Sequence, residues 1–368
     1  MTHQPIQQWV VGGAVRDVLL QFTPKDIDFC WTGATVEDML SRGFTQVGAA
    51  FPVFLDKDGN EHALARQERK VGAGYNGFEC QFDPIITIED DLARRDLTIN
   101  SMAVKIEDWD KFVEEGGAHY LVVDPFGGID DLEFEQLRHT SIAFAEDPIR
   151  ILRTARLSAR YGFVVHWSTI ALMKYVVPEL STVPPERIWA EFQKGLMEAF
   201  PTKMMIVLSE CGALDRNGPL EPYRLYNLRA LERTHEGTDI NVRFALISEN
   251  FCYTDYASCR IPVDCARVSS AFHSSRSVLP IYLRLDTASR LQLLERLKAL
   301  NDTRLISKVL EAWECDGDHG YEDVKFNIQR DLVALKTVDC ATIANLCTVG
   351  NEIKQKIFDA RIRAMEAR

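Results

Sequence analysis

The hydrophobic period changes once along this chain, near Ser141, and that change limits the folds open to it. Before it, short apolar runs alternate with turns; after it, apolar residues recur at helical spacing to the end. An α/β head of roughly 140 residues followed by an all-helical remainder is expected. Within the head, Gln8-Trp9-Val10-Val11 reads as a buried strand ended by Gly12-Gly13, and Ala14 to Leu20 as a helix. Ile27 to Cys30 reads as a second strand. Pro52-Val53-Phe54-Leu55, the turn Asp58-Gly59-Asn60 and His62-Ala63-Leu64-Ala65 read as a hairpin. Lys70 to Gly77 carries three glycines and a tyrosine with neither period, so a mobile loop is expected there. In the remainder, Asp147-Pro148 and Pro184-Pro185-Glu186 mark helix starts, and the polar stretch from Arg233 to Asp239 reads as a linker.

Length bears on domain count: 368 residues exceed one compact core and suggest roughly two to four domains or helical modules. With 46% hydrophobic and 26% charged residues, the composition is that of an ordinary globular protein. No run of about 18 apolar residues is present, and Met1 leads into Thr2-His3-Gln4, so neither a membrane span nor an export signal is expected. Nine cysteines without a C-x-x-C pair read as reduced thiols in a cytoplasmic protein. The net charge of −12 argues weakly against nucleic acid as a partner, although a local basic patch overrides a global balance.

Three groups of residues carry chemistry. The first is Gly12-Gly13-Ala14-Val15-Arg16-Asp17, followed by Lys25-Asp26-Ile27-Asp28. Adjacent glycines between strand and helix let backbone N–H groups approach an anion, and Arg16 adds a charge-assisted donor. In an extended segment Asp26 and Asp28 face one side while Ile27 enters the core. Two carboxylates that close repel each other unless a hard divalent cation lies between them. Alone, the glycine pair reads as a tight turn and the D-x-D as a solvated strand end. Together they describe a turn for a triphosphate and a strand for its metals.

The second group is Arg94-Arg95-Asp96-Leu97-Thr98-Ile99-Asn100. If extended, it turns Leu97 and Ile99 inward and leaves Asp96, Thr98 and Asn100 on the other face, though a surface ion-pair cluster explains it as well. The third runs from Glu146 to Arg160. Asp147-Pro148 suits a helix cap followed by proline at the first helical position. Arg150, Arg153 and Arg156 then form a stripe that should repel itself unless an anion lies over it. Asp147 and Arg150, three residues apart, present an acceptor beside a donor. Cytosine and adenine offer the matching amino donor and ring acceptor, whereas guanine and uracil offer the reverse. Each mismatched edge leaves polar groups unpaired, at roughly 1–3 kcal/mol per group.

At this point the sequence resembles a known family. GGAVRD, KDID, RRDLTIN, DPFGGIDDL, EDPIRILRTAR and PPERIWAEF follow one another as in class II tRNA nucleotidyltransferases, the CCA-adding enzymes of the DNA-polymerase-β superfamily, and ALARQERKVGAGYNGF is similar to the bacterial subgroup. The likeness is strong over residues 9–215 and weak beyond. It implies an α+β fold: a polymerase-β-like head with a mixed or antiparallel sheet, then a helical neck, body and tail. The expected domains are 1–140 (catalytic head), 141–219 (neck and body, for nucleotide base and RNA) and 220–368 (body and tail).

The implied activity is addition of CMP, CMP and AMP to the 3′ end of tRNA from CTP and ATP, with pyrophosphate released. Asp26 and Asp28 become ligands for two magnesium ions, with Glu61 a candidate third carboxylate. Gly12, Gly13 and Arg16 meet the triphosphate; Arg95, Asp96 and Asn100 lie near ribose and phosphates; Asp147 and Arg150 read the base; Arg153 and Arg156 complete the pocket. The implied partner is tRNA, held at acceptor stem and elbow; a cytoplasmic enzyme without a membrane partner is expected, and a monomer, although the sequence does not reveal the oligomeric state.

Many bacterial relatives end in a phosphohydrolase domain named for an adjacent His-Asp pair of metal ligands. No His-Asp dipeptide occurs here, and Val242 to Asn250 resembles the helix that bears it, with Glu249-Asn250 in its place. Residues 220–368 are therefore expected to be a degenerate, non-catalytic version of that domain, with His235, His273 and His319 too widely spaced for a metal set. Its basic end (Lys354, Lys356, Arg361, Arg363, Arg368) suits RNA or a solvated helix face. A poly(A) polymerase, a CC- or A-only adding enzyme, and a catalytically dead RNA-binding protein remain as alternatives.

Overall fold

The computed structural model describes residues 5–47, 53–70, 78–224, 228–317, 320–345 and 350–367. The glycine-rich loop after Lys70, together with His319 and Arg368, lies outside them. Two compact units result: Met1–Gly195 with Lys203–Glu221, and Leu196–Thr202 with Pro222–Arg368.

In the first unit, β1 (Gln7–Val11), β2 (Asp28–Thr32), β3 (Thr45–Val47), β4 (Val53–Leu55) and β5 (Glu61–Leu64) form most of a sheet. A separate hairpin pairs β6 (Gln67–Lys70) with β7 (Phe78–Gln81), while β8 (Ala103–Lys105) and β9 (Val122–Val123) complete the main sheet. Its order is β3-β4-β5-β2-β1-β8-β9, antiparallel throughout except for the parallel pair β2 and β5. Alternation along the strands feeds two cores. Trp9, Val11, Cys30 and Ala103 pack with Leu92 on one face, and Trp31, Phe54 and Leu64 pack with Met39 on the other.

The head helices are α1 (Gly13–Leu19), α2 (Val36–Ser41), α3 (Ile88–Ala93), α4 (Trp109–Glu114) and α5 (Gly128–Glu133). Both α2 and α3 begin with a capping box, in which Thr35 pairs with Asp38 and Thr87 with Asp90, satisfying backbone N–H groups that a helix start leaves open. Next come α6 (Arg150–Tyr161), α7 (Trp167–Val176), α8 (Pro185–Met197) and α9 (Pro201–Glu210). Among the described residues, the helical part has one exception to its predicted uniformity. Val164–Val165 pairs in parallel with Gln136–Leu137, a strand contact too short to leave a period in the sequence.

Two other local readings change. Only Asp28 belongs to β2, so Asp26 and Ile27 precede the strand and Ile27 is half-buried rather than in the core. The segment after Arg95 is not extended: Thr98–Asn100 forms a 3₁₀ turn, and Asp96 through Asn100 are all buried. That turn is held by the Thr98 hydroxyl on Asp131 (2.7 Å) and the Asn100 amide on Asp96 (3.0 Å).

The second unit is built from α10 (Leu228–Glu232), α11 (Ile240–Ile247), α12 (Tyr253–Ser258), α13 (Val263–Ser275), α14 (Thr287–Arg296), α15 (Thr303–Asp316), α16 (Tyr321–Lys336), α17 (Cys340–Asn345) and α18 (Gly350–Glu366). Its core includes Trp313, Tyr282, Phe272, Val242 and Leu294.

Candidate nucleotide-binding site

Gly12 follows β1 with φ +72°, a conformation that side chains disfavour, and a Cβ there would stand 2.7 Å from Arg95 Nη1. The positive φ is what calls for glycine, and a side chain there would also have to displace the Arg95 guanidinium end. One turn further, Arg16 is buried. Its Nε and Nη2 donate to Asp17 Oδ1 (3.0 and 2.7 Å), and its Nη1 donates to Asn100 Oδ1.

Arg94 and Arg95 both donate to Asp91, which is 1% exposed in the first turn of α3. Burial by itself would raise the Asp91 carboxyl; the two guanidinium charges and their hydrogen bonds outweigh it and hold it below the usual carboxylate range. Asp96 behaves alike. Burial opposes its charge, but Arg153 (Nε to Oδ2, 3.0 Å), the Asn100 amide and the Arg150 charge depress it well below normal. Arg153 in return is held more firmly protonated, chiefly by the Asp96 charge.

The helix α6 starts at Arg150, so Asp147 and Pro148 occupy the turn before it rather than its cap and first position. Asp147 still does capping work, because its Oδ1 accepts from the Ile149 N–H (3.2 Å). Its Oδ2 accepts from Arg187 on α8 (3.2 Å), whereas Arg150 Nη1 donates to the Ala143 carbonyl (2.8 Å). The arginine stripe is partly neutralised by protein, contrary to the expectation of an uncompensated row: Arg153 meets Asp96, and Arg156 Nε meets Glu191 Oε2 at 2.7 Å.

These elements enclose one cleft of about 770 Å³. Its walls include Gly12, Gly13, Arg16, Asp26, Asp28, Arg95, Asp96, Asn100, Asp147, Arg150, Arg153 and Arg156, which is every residue the sequence pointed to except Glu61. By register Glu61 lies beside Asp28 on the same face of the sheet, since His62 pairs with Phe29, but it is not in the cleft wall. The sequence reading gave no role to Asp17, Lys25, Arg94, Arg187 and Glu191, which also line the cleft. Arg187 and Glu191 are four apart on α8, so helical spacing already put them on one face. Nine arginines and lysines face six carboxylates here, an excess of positive charge within a chain of net charge −12.

Asp26 and Asp28 are exposed, and neither has a hydrogen-bond or ion-pair partner among the described residues. Hard oxygen donors left open beside cations suit magnesium, which takes one or two carboxylates and fills its shell with water and phosphate oxygens. No group of three metal-capable side chains gathers among the described residues.

The chain is also similar to known proteins. Residues 8–138 match the family model described as the poly A polymerase head domain, and residues 162–219 match a probable RNA and SrmB-binding site of polymerase A. The multifunctional CCA protein of Aromatoleum aromaticum is 37% identical over 98% of both chains, and that of Azoarcus sp. is 35% identical over 98% of this chain and 97% of its own. The chain belongs to the family of multifunctional CCA proteins. Its alignment with the Aromatoleum member of the CCA family spans 418 positions, 50 more than the 368 residues present here, so segments of that relative have no counterpart in this chain.

Among solved structures, the Bacillus stearothermophilus CCA-adding enzyme in complex with CTP is similar with TM-score 0.67 and 19% identity, over 98% of this chain and 89% of that one. The Thermotoga maritima CCA-adding enzyme complexed with tRNA is similar with TM-score 0.67 and 19% identity, over 99% and 88%. At that identity they support the fold: a mixed-sheet head followed by helices. No helix among the described residues is long and apolar enough to cross a membrane.

Proposed function

We propose that the cleft transfers nucleotides from CTP and ATP to the 3′ end of tRNA, completing a CCA end without a nucleic-acid template. CCA addition is the activity of the family to which the chain belongs, and the cytoplasm, which holds tRNA and nucleoside triphosphates, is its place. The observation that carries the reading is the meeting in one cleft of a glycine turn, two open carboxylates and an arginine-lined helix.

In the reaction, the tRNA 3′-oxygen forms a bond to the α-phosphorus while the bond from that phosphorus to pyrophosphate breaks. Asp26 and Asp28 would hold magnesium, which when bound would withdraw charge from the phosphates and the attacking hydroxyl. Arg16, fixed by Asp17 and Asn100, faces the triphosphate, and Arg95 lies over the glycine turn. Asp96 clamps Arg153. Asp147 accepts from the amino group of cytosine or adenine, and Arg150 donates to the neighbouring ring nitrogen, each turning from its present partner. Guanine and uracil meet donor with donor and acceptor with acceptor.

A poly(A) polymerase shares the head, but the curated relatives, matched along the whole chain, carry the CCA name. The deciding experiment incubates the protein with tRNA ending before CCA, magnesium and each triphosphate singly and in pairs. Ordered incorporation of two CMP and then one AMP is expected. Repeated AMP addition without CMP would make it a poly(A) polymerase.

A further inference from the structure

Tyr161 closes α6, the helix whose other end carries Arg150. Its hydroxyl donates to Asp17 Oδ1 at 3.1 Å, the same oxygen that accepts from Arg16 Nε and Nη2. Its ring also lies against arginine. The Arg16 guanidinium carbon is 5.2 Å from the ring centroid and that of Arg160 is 5.3 Å, both within cation–π range. Phe22 and Phe163 flank the ring at 6.4 and 5.5 Å. Burial pushes the phenol up to about 12, so it stays a donor to Asp17 at working pH.

Of the five N–H groups of Arg16, Asp17 and Asn100 take three, which leaves about two for a ligand. Those groups are useful only if the guanidinium cannot swing. Arg16 Nη2 lies 3.4 Å from where a Gly13 Cβ would stand, against the glycine turn. A guanidinium pinned on one edge by a carboxylate, on another by an amide and on its flat face by a ring has lost its rotamer freedom before the ligand arrives.

We propose that Tyr161 is a positioning residue for the triphosphate end of the nucleotide: it fixes Arg16 through Asp17 and through its own ring face, and supports Arg160 in the same wall. This rests on reading the cleft as a nucleoside triphosphate site. One helix then links base choice, at Arg150, to phosphate capture, at Tyr161.

The test compares wild type with Tyr161→Phe, which removes only the hydroxyl, and Tyr161→Leu, which removes the aromatic face as well. Inhibition by pyrophosphate and by CMP is measured for each, with steady-state CTP and ATP kinetics and the thermal midpoint. Tyr161→Leu is expected to raise the pyrophosphate inhibition constant and both KM values about tenfold, and Tyr161→Phe about threefold, with kcat less affected. CMP inhibition should stay within about twofold, because CMP has no β- or γ-phosphate to lose. Unchanged pyrophosphate inhibition in both variants would overturn the proposal, and so would equal weakening of CMP and pyrophosphate, the mark of a loosened fold. A wild-type protein that neither incorporates CMP nor is inhibited by pyrophosphate would instead remove the reading of the cleft itself.

Discussion

Two charged clusters in this molecule use the same ingredients to opposite ends. In the head cleft, ion pairs such as Arg94 and Arg95 with Asp91, or Arg153 with Asp96, hold the wall in shape while the Asp26 and Asp28 carboxylates have no partner among the described residues. In the second unit, Arg276, the residue that follows α13, donates through Nε and Nη2 to both oxygens of Asp316 (2.6 and 2.9 Å) and through Nη1 to Glu249 (3.3 Å). Asp331 is likewise closed by Arg290 and the Tyr282 hydroxyl. Charges that neutralise one another hold structure; charges left over beside a cleft await a ligand. By the resemblance, Glu249 stands where relatives carry a His-Asp pair, and its neighbour in space is the arginine Arg276.

The strongest way to break this contrast is to remove the open carboxylates. If the two carboxylates hold the metal ions as proposed, Asp26→Ala and Asp28→Ala should each lower nucleotide incorporation at least about a thousandfold, since such ions supply much of the charge stabilisation in phosphoryl transfer. Filter binding should show tRNA still bound. Retention of a tenth of wild-type turnover would mean the ions are held elsewhere.

In the second unit the same logic predicts damage to stability rather than to activity. Arg276→Ala leaves Glu249 and the largely buried Asp316 facing each other, at a cost of about 2 kcal/mol after allowing for the one-third exposure of the arginine. Chemical denaturation reads this directly. The full chain should not hydrolyse 2′,3′-cyclic AMP with nickel or manganese; metal-stimulated hydrolysis would show that the unit keeps an active centre.

Acid should find the head's closed pairs first. The folded pKa values of Asp91 and Asp96 are depressed, so their contribution to stability is complete above the usual carboxylate range and is lost as pH falls below about 4. Asp96→Asn should cost about 1–3 kcal/mol at pH 7 and flatten the acid limb of the stability curve, as followed by urea unfolding between pH 7 and 3. An acid limb as steep as wild type would assign acid sensitivity to other carboxylates.

Much of the cleft was legible in sequence because its parts are local. Gly12 and Arg16, Asp26 and Asp28, and Asp147 and Arg150 are within four residues of each other and inherit their geometry from a turn, a strand start or a helix. What escaped is what packing joins. Tyr161 reaches Asp17 across 144 positions, and Arg156 meets Glu191 across 35. No period or spacing encodes such a meeting. The RRDLTIN segment misled for a related reason: its alternation fits a strand, but Thr98 and Asn100 bond to Asp131 and Asp96, and those side-chain bonds favour a 3₁₀ turn.

The finest discrimination concerns base choice. Asp147 stands between the two behaviours compared above, since one oxygen is committed to the Ile149 N–H and the other to Arg187, yet it lines the open cleft. Asp147→Asn separates its structural from its reading role. The amide oxygen can still accept from Ile149, so the turn survives. The amide nitrogen cannot pair with Arg187, but that ion pair is partly exposed and worth about 1 kcal/mol at most. Folding stability should therefore stay near wild type. Toward the base, asparagine offers a donor as well as an acceptor, so uracil, which presents an acceptor where cytosine presents an amino group, is no longer refused. The penalty against UTP should fall by roughly 1–3 kcal/mol, about fivefold to 150-fold in relative kcat/KM. Competition between UTP and CTP on tRNA ending before CCA measures that ratio. If Asp147→Asn keeps the wild-type preference at unchanged stability, the base edge is read by other groups and Asp147 serves only the turn and Arg187.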